Sequence, residues 1–175
     1  MRRIYIFGSS GSGKTTLAKS LAEKFNLERV ELDSIYHQAD WQPIDVSDFR
    51  DRVYEVVAKE NWVVDGNYSV VRDLVLEACD TIICLDYSRR FVMRRLFKRT
   101  MSRNLNRTQL WNGNKEKFWF LFSPNKEKNL LLWAWTTHKR RHQQILELMS
   151  DSSIPAKNRF RFTTSEETEI WLKSL

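Results

Sequence analysis

Five short apolar or alternating runs are interleaved along the chain with stretches of helical periodicity. Arg3-Ile4-Tyr5-Ile6-Phe7 is β-rich and ends at Gly8. Arg29-Val30-Glu31-Leu32-Asp33 predicts a second strand, Asn61-Trp62-Val63-Val64-Asp65 a third, stopped by Gly66, and Arg159-Phe160-Arg161-Phe162-Thr163 a last one. Thr81-Ile82-Ile83-Cys84-Leu85 is nearly unbroken in its apolar character, the pattern of a strand covered on both faces. Between the first two runs, Leu17, Ala18, Leu21, Ala22 and Phe25 recur at helical spacing over 14–25, and between the second and third Phe49, Val53, Val56 and Val57 do so over 47–59. Further helices are predicted over about 70–78, 91–103, 127–149 and 165–175, the last with a Ser-x-x start, and 104–114 is polar and loop-like. Strands alternating with helices predict an α/β fold with a mainly parallel sheet. No repeat, low-complexity tract or linker divides the chain, so one domain over 1–175 is expected.

The apolar stretches Phe118–Phe122 and Leu130–Trp135 are separated by the polar segment 123–129. Neither reaches the roughly 20 residues of a membrane span. Their aromatics, Phe118, Trp119, Phe120, Phe122, Trp133 and Trp135, are expected in the core. The apolar N-terminal stretch is shorter than the roughly 7–15 residues of a secretory core, so the expected location is cytoplasmic. Cys79 and Cys84 lack metal-type spacing and suit small buried positions in a reducing compartment. With 42% hydrophobic and 29% charged residues the chain is globular, and a net charge of +7 points to a polyanionic ligand.

Three of the five glycines fall in one loop. Gly8-Ser9-Ser10-Gly11-Ser12-Gly13-Lys14-Thr15 fits G-x-x-x-x-G-K-[ST], preceded by a predicted strand and followed, through Thr16, by a helix. Backbone N–H groups of such a loop form an anion cradle, and the helix N-terminus adds partial positive charge. Lys14 can reach the β- and γ-phosphates of ATP, and the Thr15 hydroxyl can ligate Mg²⁺. The guanine-reading Asn-Lys-x-Asp of small GTPases is missing; Asn125-Lys126-Glu127-Lys128 lacks the acid. A small kinase is the reading that remains.

Such an enzyme needs acids and bases at the carboxyl ends of its strands, where open sheets bind ligands. Asp33 is a candidate to bind the acceptor or act as general base, and Asp65 to hold Mg²⁺. Asp86 fits a helix cap better than a site. From Arg89 to Arg107 eight basic residues occur with no acid, and Arg95, Arg99 and Arg103 share a helix face. That face suits an electrostatic clamp over a triphosphate; a solvated surface or a nucleic-acid contact are the alternatives. Trp111-Asn112-Gly113-Asn114 marks a tight turn, and His138-Lys139-Arg140-Arg141-His142 fits a solvated helix face. The histidines give no metal-site signal.

The order of elements resembles adenylate kinase and its nucleotide-kinase relatives. More closely, Gly8–Thr16, Leu32-Asp33, Trp62–Tyr68, Leu85-Asp86, the Arg94-Arg95…Arg99…Arg103 run and Leu110–Glu116 resemble the FlaR-related topology modulation proteins, a group of small P-loop kinases. The resemblance implies a P-loop NTPase fold: a nucleotide-kinase-like five-stranded parallel sheet with helices on both faces and a basic helical lid at about 95–120. It implies that Arg95 stacks on adenine, that Arg99 is a phosphate-binding lid arginine, and that Asp65-Gly66 is the Asp-Gly pair after the third strand. Those enzymes continue with Pro-Arg where this chain has Asn67-Tyr68-Ser69, so the arginine that grips a nucleoside monophosphate is absent there; Arg72, one helical turn on, is the nearest substitute. The expectation is an ATP- and Mg²⁺-using kinase whose acceptor is a nucleoside, a nucleotide or another small metabolite, with Asp33 expected to bind or deprotonate a hydroxyl of that acceptor. The alternative is an ATP-binding regulatory or nucleic-acid-binding protein.

Overall fold

The computed structural model describes residues 1–106, 108–115, 123 and 129–175. Five parallel strands, β1 (Arg3–Gly8), β2 (Glu28–Glu31), β3 (Trp62–Asp65), β4 (Thr81–Leu85) and β5 (Asn158–Phe162), form one sheet in the order β2-β3-β1-β4-β5. The helices are α1 (Lys14–Phe25), α2 (Leu32–Tyr36), α3 (Val46–Val57), α4 (Arg72–Ala78), α5 (Arg89–Leu105), α6 (Leu130–Ser150) and α7 (Ser165–Ser174). From β1 the chain runs to the edge strand β2, returns to β3 between the two, then crosses to β4 and β5 on the other side of β1. That reversal puts a crevice at the carboxyl end of β1, the usual ligand position in open α/β sheets.

The alternation of β1 decides which helices cover which face. Tyr5 and Phe7 point into a core with Phe49 and Val53 of α3, Val75 of α4 and Ile145 and Leu148 of α6. Ile4 and Ile6 point the other way, toward Leu17, Ala18 and Leu21 of α1 and Val92 of α5, with Trp171 of α7 packed at the margin. Phe7, Phe49, Ile4 and Ile6 are fully buried, each worth roughly 1.5–3 kcal/mol relative to exposure. Local signals fix several helix starts. Asp45 accepts from the Ser47 N–H, Ser88 from Phe91, and Thr164 with Glu167 forms a reciprocal capping box, one residue before the predicted Ser start.

Several expectations need correction. The second strand stops at Glu31, and Leu32-Asp33 begins α2 instead of ending the strand. The Ser34 hydroxyl bonds the Glu31 carbonyl and helps turn the chain there. The span 104–114 is only partly loop: α5 reaches Leu105, and Trp111–Gly113 forms a 3₁₀ turn. α6 starts at Leu130, while the predicted beginning at Glu127, together with Arg107, the aromatics at 118–122 and Asn125–Lys128, lies outside the described residues. Trp133 and Trp135 are not core but 39% and 47% exposed, and Trp135 instead carries the Arg89 guanidinium over its ring at 4.1 Å. Cys79 and Cys84 are buried free thiols, as expected. Among the described residues no helix is long and apolar enough to cross a membrane.

Candidate active site

The loop from Gly8 to Gly13 joins β1 to α1 at the sheet's crevice. Gly11, at φ +86°, has no room for a side chain: a Cβ would lie 2.9 Å from both Leu96 Cβ and the Val92 carbonyl of α5. The missing side chain thus lets the basic helix press directly on the loop. Arg95 takes that proximity up, with its guanidinium facing Gly13 and reaching the Ser12 carbonyl at 3.5 Å. Arg95 also sits over the Phe91 ring. Along α5, Arg95, Arg99 and Arg103 are half-buried while Arg94 and Lys98 are exposed, so the four-residue spacing separates an inward from an outward face.

Lys14 folds back over the loop, donating to the Gly8 carbonyl at 2.8 Å and the Ser9 carbonyl at 3.1 Å. Burial pulls its ammonium down to about 8, against the raising pull of Asp65 and Asp33. The Thr15 hydroxyl donates to Asp65 Oδ1 at 3.3 Å, and Asp65 Oδ2 is buried without a hydrogen-bond partner. Burial pushes Asp65 up to about 7; Lys14 lowers it, and Glu31 and Asp33 add to the rise. A paired hydroxyl and carboxylate with one orphaned oxygen fit a Mg²⁺ ion that takes its other ligands from phosphate and water. Among the described residues no group of three or more His, Cys, Asp or Glu forms an all-protein metal cage. Thr16 follows on the exposed side of α1.

The segment after β3 ties the loop to a second corner. Gly66, at φ +146°, lies against Leu32, whose Cβ would be 2.6 Å from a Cβ there. Asn67 Nδ2 donates to the Gly8 carbonyl at 2.6 Å, so the Asn that replaces a proline in the adenylate kinase pattern clamps the start of the phosphate loop. Tyr68 donates its hydroxyl to Asp33 Oδ1 at 2.6 Å and lies 3.4 Å from His37 Nε2. Burial, then the Asp33 charge, holds the Tyr68 phenol far above its usual range, so it stays a donor. Burial also lowers His37, which favours a neutral ring. Tyr36, His37, Trp41 and Trp111 complete an aromatic corner around Asp33.

The Trp-Asn-Gly-Asn turn closes this corner from above. Trp111 Nε1 donates to Glu31 at 3.1 Å, Asn112 to the His37 carbonyl at 2.6 Å, and Asn114 to the Gln38 carbonyl at 2.8 Å while accepting from the Trp41 N–H at 2.9 Å. His37, Asn67 and Asn114 were not singled out from the sequence. The only signals in the sequence are the four-residue spacing that puts His37 at the end of the short helix opened by Leu32-Asp33 and the positions of the two asparagines inside the motif stretches.

No protein-family model matches the chain. A curated shikimate kinase of Sulfurihydrogenibium sp. (strain YO3AOP1) is 41% identical over 44 residues, which cover 25% of this chain and 26% of that protein. The shikimate kinase from Bacteroides thetaiotaomicron superposes with a TM-score of 0.56 at 16% identity, over 99% of this chain and 95% of that one. The shikimate kinase from Acinetobacter baumannii in complex with shikimate gives 0.54 at 16% identity, over 99% and 90%. The chain has the shikimate kinase fold. In that fold the Gly8–Thr15 loop, Asp65 and Asp33 all lie at one edge of the sheet: the Ile6↔Asp65 and Glu31↔Asp65 register brings β1, β2 and β3 level.

Two expectations beside this site are overturned. Asp86 is not a cap, a role Ser88 fills for α5. Its carboxylate is only 4% exposed and pairs with Arg161 at 2.7 Å and His142 at 2.9 Å. Within the run His138–His142 only Lys139 and Arg140 are exposed: His142 holds Asp86, His138 meets the Tyr87 carbonyl at 3.0 Å, and Arg141 is 8% exposed. Arg72 lies over the Phe7 ring at 5.3 Å.

Proposed function

We propose that the chain is a single-domain, Mg²⁺-dependent kinase that moves the γ-phosphoryl group of ATP onto a hydroxyl of a small molecule. The observation that carries this reading is the convergence of Lys14, Asp65 and Asp33: the Lys14 ammonium feels both carboxylates, one beside the Thr15 hydroxyl and one in an aromatic corner. In this reading the backbone of Gly8, Ser9, Ser10, Gly11, Ser12 and Gly13, with Lys14, Thr15 and Thr16, cradles the phosphates. Thr15 and Asp65 hold Mg²⁺, which supplies charge neutralisation for the phosphates. Arg95 covers the adenine and Arg99 meets the transferring phosphate, within a lid at about 95–120. Asp33 takes the proton of the acceptor hydroxyl as its oxygen bonds the γ-phosphorus, and ADP leaves.

The inward turn of Arg95 toward the loop favours a phosphate clamp over a nucleic-acid surface. The Val-Asp-Gly-Asn-Tyr and Trp-Asn-Gly-Asn stretches support grouping the chain with the FlaR-related topology modulation proteins, and the buried free thiols suit the cytoplasm. Incubation with γ-labelled ATP and a panel of hydroxyl compounds tests the reading. Label should move to an acceptor in a Mg²⁺-dependent way. Release of free phosphate alone, or transfer only to nucleoside monophosphates, would overturn it.

A further inference from the structure

A second concave site lies at the carboxyl ends of β4 and β5, where α5 starts beside the middle of α6. Its volume is about 530 Å³, within the usual range for a small-molecule site. Asp86, Arg89, His138, Lys139, His142 and Arg161 supply its ionisable lining, together with Tyr87, whose hydroxyl is taken up by Thr168 at 2.6 Å. The cavity opens beside α6, which covers the sheet face opposite α1. Among the described residues none of the phosphate loop lines it, and neither Asp33 nor Asp65 does, so it is separate from the site above.

The charges of this lining do not balance. Asp86 is its one acid, and Arg161 and His142 already take up both carboxylate oxygens. Among the described residues Arg89 and Lys139 pair with no carboxylate, and Arg89 lies on the Trp135 ring instead. α5 has no acid in its first turn either. A merely solvated surface would interleave acids, because like charges brought close repel. The histidines add a condition. The Tyr87 carbonyl can only accept, so His138 Nε2 carries a proton, and the Asp86 carboxylate likewise fixes a proton on His142 Nδ1. On a neutral ring the second nitrogen then presents a lone pair, which repels an anion. On a charged ring it presents an N–H, which binds one.

We propose that this cavity is a second anion site, for a small molecule carrying a doubly charged group of the phosphate kind, bound by Arg89 and Lys139 and gripped by His138 and His142 in their protonated forms. Arg161 keeps Asp86 neutralised, so the acid does not oppose the ligand. A dianion suits the site better than a carboxylate, because a single negative charge cannot answer both free cations and the two rings. Of the residue types in the lining, histidine is the one that ordinarily changes charge between pH 5 and 8. Anion affinity therefore falls as pH rises through that range. The site involves no transfer step and does not rest on the kinase reading.

The test uses the full chain saturated with Mg²⁺ and ADP, so that the phosphate loop is filled. Sulfate is the probe, because it keeps two charges from pH 5.5 to 8, and it is titrated against chloride of equal ionic strength. The chain has three histidines, whose ring signals by NMR report where the ion sits. The His138 and His142 signals should move, and both rings should hold their protons to higher pH with sulfate bound. His37, in the aromatic corner, is the internal control. Affinity should be about tenfold or more weaker at pH 8 than at pH 5.5, the loss of a charged hydrogen bond, and acetate should bind more weakly than sulfate by a similar factor. Lys139→Glu should abolish the response with ADP affinity unchanged, whereas Lys139→Arg should keep it. Arg89→Gln should weaken it about tenfold and serves if Lys139→Glu does not fold. No response above chloride, a shift at His37 alone, an affinity that does not change with pH, an intact response in Lys139→Glu or in Arg89→Gln, or acetate binding as tightly as sulfate would overturn the proposal. Absence of label transfer with the sulfate response intact would count against the kinase reading alone.

Discussion

The Tyr68 hydroxyl donates a 2.6 Å hydrogen bond to Asp33 Oδ1 and joins the segment after β3 to the helix after β2. One oxygen of the carboxylate is thereby occupied by a donor that stays protonated, which leaves the other for an acceptor hydroxyl.

Asp33→Asn should therefore keep ATP affinity and lower kcat by about 10²–10⁴-fold, the usual effect of losing a general base. Tyr68→Phe should act more mildly. It frees the carboxylate to rotate without removing it, and loss of one hydrogen bond to a charged group costs about 1.5–3 kcal/mol, so kcat/KM for the acceptor should fall about 10–100-fold. Steady-state kinetics with ATP and acceptor varied separately checks both. An Asp33→Asn enzyme at the wild-type rate would return Asp33 to the role of a turn residue.

Lys14 and Arg95 touch the same loop but should fail differently. Lys14→Ala should abolish most transfer while leaving the melting temperature within a few degrees, because the ammonium is already strained by burial. Arg95→Ala should mainly raise KM for ATP by about tenfold, in line with the ~0.5–2 kcal/mol of a cation–π or stacking contact. A phosphate-stabilising arginine can be worth about 10³–10⁵ in rate, so Arg99→Ala should strike kcat. Equal KM effects for Arg95 and Arg99 would show that one arginine does not read the base.

The contrast between these residues and the ones overlooked is physical. The phosphate loop is a local device: strand, glycines, lysine and helix are contiguous, so the whole of it is visible in eight residues. The β1, β3 and β4 runs were equally plain, because strands covered on both faces are nearly all apolar. Asp33 was placed two residues too deep in a strand, since a pattern of Val30 and Leu32 cannot tell a β ending from the first turn of α2. Asp86, His142 and Arg141 were misread for another reason. The Asp86 and His142 pairing is made between the end of β4, β5 and α6 across 56 and 75 residues, and Arg141 packs on Phe7 of the distant β1, so no local spacing betrays these partners.

The opposed shifts of Asp65 and Lys14 give the nucleotide-free protein a pH signature. In the unfolded chain the carboxyl titrates near its ordinary 3.8, and in the folded chain at about 7. Between those values the folded state holds a proton the unfolded state has lost, so this group's contribution to stability falls as pH rises through that window. Lys14 titrates at about 8 folded and at 10.5 unfolded. Between those values the unfolded state holds the extra proton, so stability rises with pH there. The pair's contribution is thus least from about pH 7 to 8, where Mg²⁺ and ATP should stabilise most. Urea denaturation across pH 4–10 checks this. Asp65→Asn should flatten the fall between 4 and 7, and an unchanged slope would refute the assignment.

Asn114 offers a test of the corner itself. The residue is 4% exposed, and its amide bonds both the Trp41 N–H and the Gln38 carbonyl, fixing the loop after α2 beneath the Trp111–Gly113 turn. Asn114→Ala would leave two backbone groups without partners, each costing about 1–3 kcal/mol if they stay buried. The loop can avoid that cost by opening to water, which moves Trp41 and His37 away from Asp33. The expected result is therefore a small loss of global stability, faster amide exchange confined to about residues 37–42, and a raised KM for the acceptor with KM for ATP unchanged. Asn114→Asp retains the oxygen that accepts from Trp41 and should recover part of the protection at Trp41 but none at the Gln38 side. If Asn114→Ala instead raised KM for ATP and left the exchange of 37–42 untouched, the turn would belong to the nucleotide side of the site rather than to the acceptor's.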